Sequence, residues 1–103
     1  MQPQVGEIRP SEALNQHRIG IRSVVDEHRA ENPRVFGSVL RGEDTAASDL
    51  DMLVDPTAET TLFDIGAMRH KLTLLLGVPV DVVTPRGLPE SFRAEVPAQA
   101  SAV

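Results

Sequence analysis

Residues 35–55 read VFGSVLRGEDTAASDLDMLVD. The apolar pair Val35-Phe36 runs into Gly37-Ser38. Ten residues then separate that turn from Asp49-Leu50-Asp51, and a second apolar run, Met52-Leu53-Val54, follows directly. Bounded by Pro33 and Gly37, Arg34-Val35-Phe36 predicts a short buried strand. Residues 38–42 fit one helical turn, and Glu43 to Ala47 a polar loop. Asp49 to Val54 predicts a second strand, ended by Pro56. Side chains alternate across a strand, so Asp49 and Asp51 point to the same face.

Working outward, residues 1–9 read as a loose lead-in. Ser11 is a candidate N-cap with Glu12 in the first turn, where the helix dipole favours an acid. Leu14, Ile21, Val25 and His28 fall at helical spacing, predicting one helix over 11–28 that Asn32-Pro33 stops. Downstream, Thr60 or Thr61 caps a helix from Leu62 to Leu76. Its Leu62, Ile65, Arg69, Leu72, Leu75 and Leu76 fall near one face, and Gly77 is its C′ residue. Val78 to Val83 predicts a third strand, and Pro89 to Val96 a last short helix with Pro97 at its end. The tail, AQASAV, carries no signal.

The segment from 49 to 83 is strand, helix, strand, which favours a parallel pair. The first two strands are joined by about a dozen residues, leaving antiparallel and mixed arrangements open. The expected fold class is α/β of the α+β kind, a small mixed β-sheet flanked by helices. At 103 residues the chain fits one domain, 1–103, with its core at about 11–96.

Composition removes several function classes. The formal net charge is −5, from ten Lys and Arg against 15 Asp and Glu. That balance argues against direct nucleic-acid binding, which favours a basic surface. Three Phe with no Trp or Tyr supply few stacking platforms for single-stranded bases. With no Cys, disulfide frameworks and thiolate zinc sites are out. No apolar run reaches membrane-spanning length and no leader pattern opens the chain, so a cytoplasmic protein is expected.

The chemistry concentrates in the carboxylates. Asp49 and Asp51 on one strand face repel unless a cation sits between them, and magnesium takes oxygen ligands of this kind. Asp81 interrupts the apolar run Val78 to Val83, where an acid is costly unless paired or metal-bound. With strands two and three adjacent, Asp81 completes a cluster with Asp49 and Asp51; alternatively it pairs with an arginine such as Arg69. Three carboxylates suit two ions about 3.5–4 Å apart. Gly37 lets the backbone approach a phosphate, Ser38 offers an N–H and a hydroxyl, and Arg41 is near enough in sequence to reach the same anion. The conjunction reads as a site for a nucleoside triphosphate and a divalent metal.

Gly37-Ser38, ten residues and Asp49-Leu50-Asp51, with Arg41-Gly42 between, resemble the minimal nucleotidyltransferase (MNT) family of the DNA polymerase beta-like nucleotidyltransferase superfamily. Val80-Asp81-Val82-Val83-Thr84-Pro85 is similar to that family's third-aspartate strand. The resemblance runs from about Ser11 to Glu95. It implies the polymerase beta-like fold, and Mg-dependent transfer of a nucleoside monophosphate, AMP from ATP, to a hydroxyl. Carried across, Asp49, Asp51 and Asp81 are catalytic and bind two Mg2+ ions. Gly37 and Ser38 hold the triphosphate, and Arg41 matches the arginine after the turn. Short members resemble antitoxins that add AMP to a tyrosine of an all-helical HEPN-type toxin, which implies a hetero-oligomer. The chain has no Tyr of its own to modify. The alternative is an antitoxin that keeps the fold and neutralises its partner by binding alone.

Overall fold

The computed structural model describes residues 8–103. Most of the expected lead-in therefore lies outside the described residues. Helix α1 spans Pro10–Gln16 and α2 spans Arg18–Glu27. Strand β1 spans Ala30–Phe36, the single turn α3 Ser38–Arg41, β2 Leu50–Pro56, α4 Leu62–Leu76 and β3 Val80–Val83. Two 3-10 turns, Pro85–Gly87 and Glu90–Phe92, lead into α5 (Glu95–Gln99) and the two-residue strand β4 (Ser101–Ala102). The sheet order is β3-β2-β1-β4. β2 and β3 run parallel, as the crossover through α4 requires, while β1 is antiparallel to both β2 and β4.

The N-terminal helix differs from expectation in two ways. Pro10 opens it at the first helical position, so Arg9 rather than Ser11 is the N-cap residue. At His17 (φ −129°, ψ 23°) the chain leaves the helical region and the helix divides in two. Leu14 and Ile21 are seven residues apart, a spacing an unbroken helix also satisfies, so periodicity could not register the break. Each half buries part of its apolar set, Ala13 and Leu14 from α1, Ile21 and Val25 from α2, while Ile19 is exposed.

Strand β1 starts earlier than Pro33 suggested. Arg29 (φ 61°) and Asn32 (φ 53°) adopt left-handed conformations. The β1–β2 register shifts between Glu31 and Arg34. Pro33, which has no N–H for a ladder, falls in that bulge. Strand β2 begins at Leu50, so Asp49 stands just ahead of it, and β3 begins at Val80 rather than Val78.

Helix α4 is fixed at both ends. The Asp64 N–H donates to the Thr61 hydroxyl at 3.2 Å, and the Thr61 N–H donates to the Asp64 carboxylate at 2.9 Å. Gly77 closes the helix at φ 71°. The buried stripe is Met68, Leu72 and Leu76, with Ile65 and Leu75 packed partly against the core. Leu62 and Arg69 are exposed, contrary to the expected face. The helix is apolar nearly all round, so spacing alone could not choose its inner side.

The largest correction is at the C-terminus. Pro97 lies inside α5, in its first turn, where a missing N–H costs little. The tail is an edge strand: Arg34 faces Ala102 and Val35 faces Ser101 across the ladder. The Val103 N–H donates to the Pro33 carbonyl at 3.0 Å, and the Arg22 guanidinium donates to the Val103 carbonyl at 2.9 Å. Among the described residues no helix is long and apolar enough to cross a membrane.

Candidate active site

The site is set by two strand registers. Asp51 stands opposite Asp81 across the parallel β2–β3 pair and opposite Phe36 across β1–β2. Phe36 ends β1, so the turn that follows it lies directly beside Asp51. Gly37 sits there at φ 74° and ψ −146°, a conformation other residues essentially avoid. A Cβ at this position would collide with Oδ2 of Asp51. Glycine is thus required twice, for its backbone conformation and for the space the carboxylate occupies.

Beyond Gly37 the chain makes the α3 turn and leaves it through Gly42 at φ 72°. The Arg41 N–H donates to the Gly37 carbonyl at 3.2 Å, and the Glu43 N–H to the Ser38 carbonyl at 2.9 Å. The loop that carries Asp49 is also anchored. Asp44 is buried and accepts the Ser11 N–H at 2.9 Å. Burial pushes the Asp44 carboxyl up, but its hydrogen bonds from the Ser11 N–H and hydroxyl, and from its own N–H, outweigh that and leave it lowered. The Thr45 N–H donates to the Ser48 hydroxyl at 2.9 Å, folding the loop back ahead of Asp49. Asp44 is a loop anchor that the sequence reading missed. A lone acid in a polar loop looks solvated, and nothing local reveals its link to Ser11.

A cleft of about 460 Å³ opens over the carboxylates. Gly37, Arg41, Asp51 and Asp81 line it, together with Phe36, Leu40 and Val83 from the sheet side and residues of the C-terminal segment. Ser38 and Asp49 are not among its lining residues. Asp49 is exposed at the head of β2, yet its charge is felt at Asp51. Burial pushes the Asp51 carboxyl up, the charges of Asp81 and Asp49 push it further, and Arg41 pulls against them. The net shift is upward, with burial its largest cause.

Two arginines approach. Arg41 lines the cleft and donates to Glu43 at 3.1 Å. Arg69, from α4, donates to Asp81 at 2.8 Å; both side chains are about half exposed. The pairing of Asp81 with Arg69, one of the two alternatives left open by the sequence, is the contact made here. Among the described residues, no three carboxylate or imidazole groups form a ready-made metal cage. The oxygen-only donor set nevertheless fits magnesium, which is commonly held by one or two carboxylates with phosphate oxygens completing its shell.

Residues 20–101 match the model of the nucleotidyltransferase domain. The chain belongs to the nucleotidyltransferase family. This transferase is 31% identical over 71 residues to the candidate protein adenylyltransferase MJ0435 of Methanocaldococcus jannaschii, an alignment covering 69% of this chain and 76% of that one. A second candidate protein adenylyltransferase of that organism, MJ0126, is 27% identical over 77 residues, covering 75% and 76%. Among solved structures, a candidate minimal nucleotidyltransferase superposes with a TM-score of 0.78 at 41% identity, over 90% of this chain and 93% of that one. A toxin–antitoxin crystal structure with AMP-PNP superposes at TM-score 0.66 and 18% identity, over 90% and 71%. At that identity the likeness is one of fold. The mixed sheet with its flanking helices is the fold of these neighbours, and the family match makes the chain a nucleotidyltransferase.

Proposed function

We propose that this transferase, acting as a single domain, moves AMP from ATP to a hydroxyl of a protein partner, a tyrosine of an HEPN-type toxin, and so serves as a cytoplasmic antitoxin. The observation that carries the reading is the register that sets Asp51 opposite Asp81 at the wall of a cleft also lined by Gly37 and Arg41. The names of the Methanocaldococcus relatives support protein as the acceptor class. The toxin–antitoxin neighbour of the same fold supports a partner and an adenine nucleotide.

In this reading the acceptor hydroxyl oxygen attacks the α-phosphorus, and the bond from that phosphorus to the bridging oxygen of pyrophosphate breaks. Asp81 takes the hydroxyl proton on Oδ2, since Arg69 donates to its Oδ1. Gly37 brings backbone against the triphosphate, Ser38 donates to it, and Arg41 neutralises part of its charge. Asp49, Asp51 and Asp81 would hold Mg2+, two ions in the full site. Bound magnesium supplies Lewis-acid charge at the phosphates.

The test is incubation of the transferase with ATP labelled at the α-phosphate, magnesium and a co-expressed partner, followed by intact-mass analysis and autoradiography. Label on the partner that disappears in Asp49→Ala and Asp51→Ala is expected. A stable complex that never gains label, with ATP or any other nucleoside triphosphate, would refute transfer. It would leave neutralisation by binding.

A further inference from the structure

We infer that the C-terminal segment, residues 84–103, is the base-binding wall of the cleft, with Phe92 stacking on a purine. This inference rests on the nucleotidyl-transfer reading above and names the part of the substrate that the carboxylates do not touch.

The cleft lining is chemically mixed. Asp51, Asp81 and Arg41 carry charge on one wall, and Glu95 and Gln99 are the polar side chains of the C-terminal segment. The rest is largely apolar: Phe36 and Val83 from the sheet, Leu40 from α3, and Leu88, Phe92 and Val96 from the segment. A triphosphate has no use for such a wall, whereas a heterocyclic base does. The volume, about 460 Å³, falls in the range of small-molecule sites, roughly 300–1,000 Å³.

The segment is built to hold a shape. The Gly87 N–H donates to the Thr84 hydroxyl at 3.2 Å. The Arg93 guanidinium donates to the Leu88 carbonyl and to the Arg86 carbonyl, both at 3.1 Å. These bonds tie the two 3-10 turns together on either side of Leu88, which is buried. The far end is fixed by the β4–β1 ladder. On this braced support Phe92 remains 49% exposed. The sequence holds three Phe and no Trp or Tyr, and two of the three line this one cleft. An aromatic ring on a braced segment, half uncovered and lining a largely apolar cleft beside the Asp51 and Asp81 carboxylates, is a stacking platform. Stacking strength grows with overlapping ring area, so the two-ring purines gain more than the single-ring pyrimidines.

The experiment is calorimetric titration of the full chain, in magnesium, with ATP, CTP and inorganic tripolyphosphate. The last carries the phosphates without a base. Wild type is expected to bind ATP more tightly than CTP, and both more tightly than tripolyphosphate. In Phe92→Ala, ATP affinity falls roughly 5- to 150-fold, the equivalent of one base–aromatic stack, while tripolyphosphate affinity is unchanged. Phe92→Leu keeps apolar volume without the π face and serves where the alanine variant fails to fold; it too is expected to lose ATP affinity selectively. If tripolyphosphate binds wild type and ATP binds no tighter, or if Phe92→Leu binds ATP as wild type does, the base-wall assignment is overturned while the transfer reading stands. If neither ATP nor tripolyphosphate binds, the transfer reading falls and takes this assignment with it.

Discussion

Substituting Gly37 by Ala probes the site at its tightest point. Two costs are separable in the geometry. The first is backbone: at φ 74° and ψ −146° a residue with a Cβ sits in an essentially glycine-only region, at about 1–3 kcal/mol. The second is steric, since the new methyl collides with the Asp51 carboxylate and pushes it off its rotamer, at about 0.5–1.5 kcal/mol. The sum is about 1.5–4.5 kcal/mol. For a domain of this size, at about 4–8 °C per kcal/mol, the low end lowers Tm by roughly 6 °C. Asp51 is displaced at the same time, so transfer is lost even where the protein remains folded. A double-mutant cycle separates the two costs. In an Asp51→Ala background the steric part vanishes and the backbone part remains, so Gly37→Ala costs about 0.5–1.5 kcal/mol less there. Urea unfolding of the four proteins measures this. Equal costs in both backgrounds, or a total below about 0.5 kcal/mol, refutes the contact between Gly37 and Asp51.

Asp51→Asn tests the electrostatics. The wild-type carboxyl is raised, so its charge opposes folding above its folded pKa, and that opposition fades as pH falls through the folded value toward the unfolded one near 3.8. The Asn variant is therefore expected to be more stable than wild type at pH 7, with the advantage shrinking on acidification; urea midpoints across pH 3–7 that show no such advantage at neutrality contradict the reading. Asp44 and Asp64 have the opposite sign. Both are lowered, so both add stability above about pH 3.8 that is lost as pH falls through their folded values, and acid unfolding should begin there. Thr61→Ala removes the cap of α4 and should cost about 1 kcal/mol in equilibrium unfolding; no change means the capping box contributes nothing in solution. Arg69→Gln frees Asp81 from an exposed ion pair of about 0–1 kcal/mol, so magnesium affinity by calorimetry should rise up to about fivefold, and a fall would show that Arg69 assists the metal rather than competing with it.

The parts of the fold legible in the sequence are those where one local signal acts alone. Helix α4 has a capping threonine before it and a glycine after it, and both its ends match expectation. The β2–α4–β3 crossover follows from element order, and its parallel pairing brings Asp51 to Asp81 as expected. What could not be read depends on partners distant in sequence. Asp44 meets Ser11, 33 residues earlier. The tail becomes a strand because β1 has an open edge, and the bulge that takes in Pro33 depends on β2 opposite. Nothing within AQASAV could announce that. The same limit hid the cleft's second wall: the scarcity of Phe counted only against stacking on single-stranded bases, and only folding gathers two of the three at one place.

The parallel pairing of β2 with β3 also has a consequence for how the chain reaches its native state. Asp51 and Asp81 are thirty positions apart, with the whole of α4 between their strands in sequence. Closing such a crossover is a non-local step, and here it drives like charges together as it closes. The expectation is that the site is completed late in folding and against local repulsion. Neutralising Asp51 should leave the early events unchanged and mainly slow unfolding, as an interaction formed late does. A chain halted before that step carries all its acidic residues but has no assembled site, so a partially folded transferase has no partial activity to misdirect.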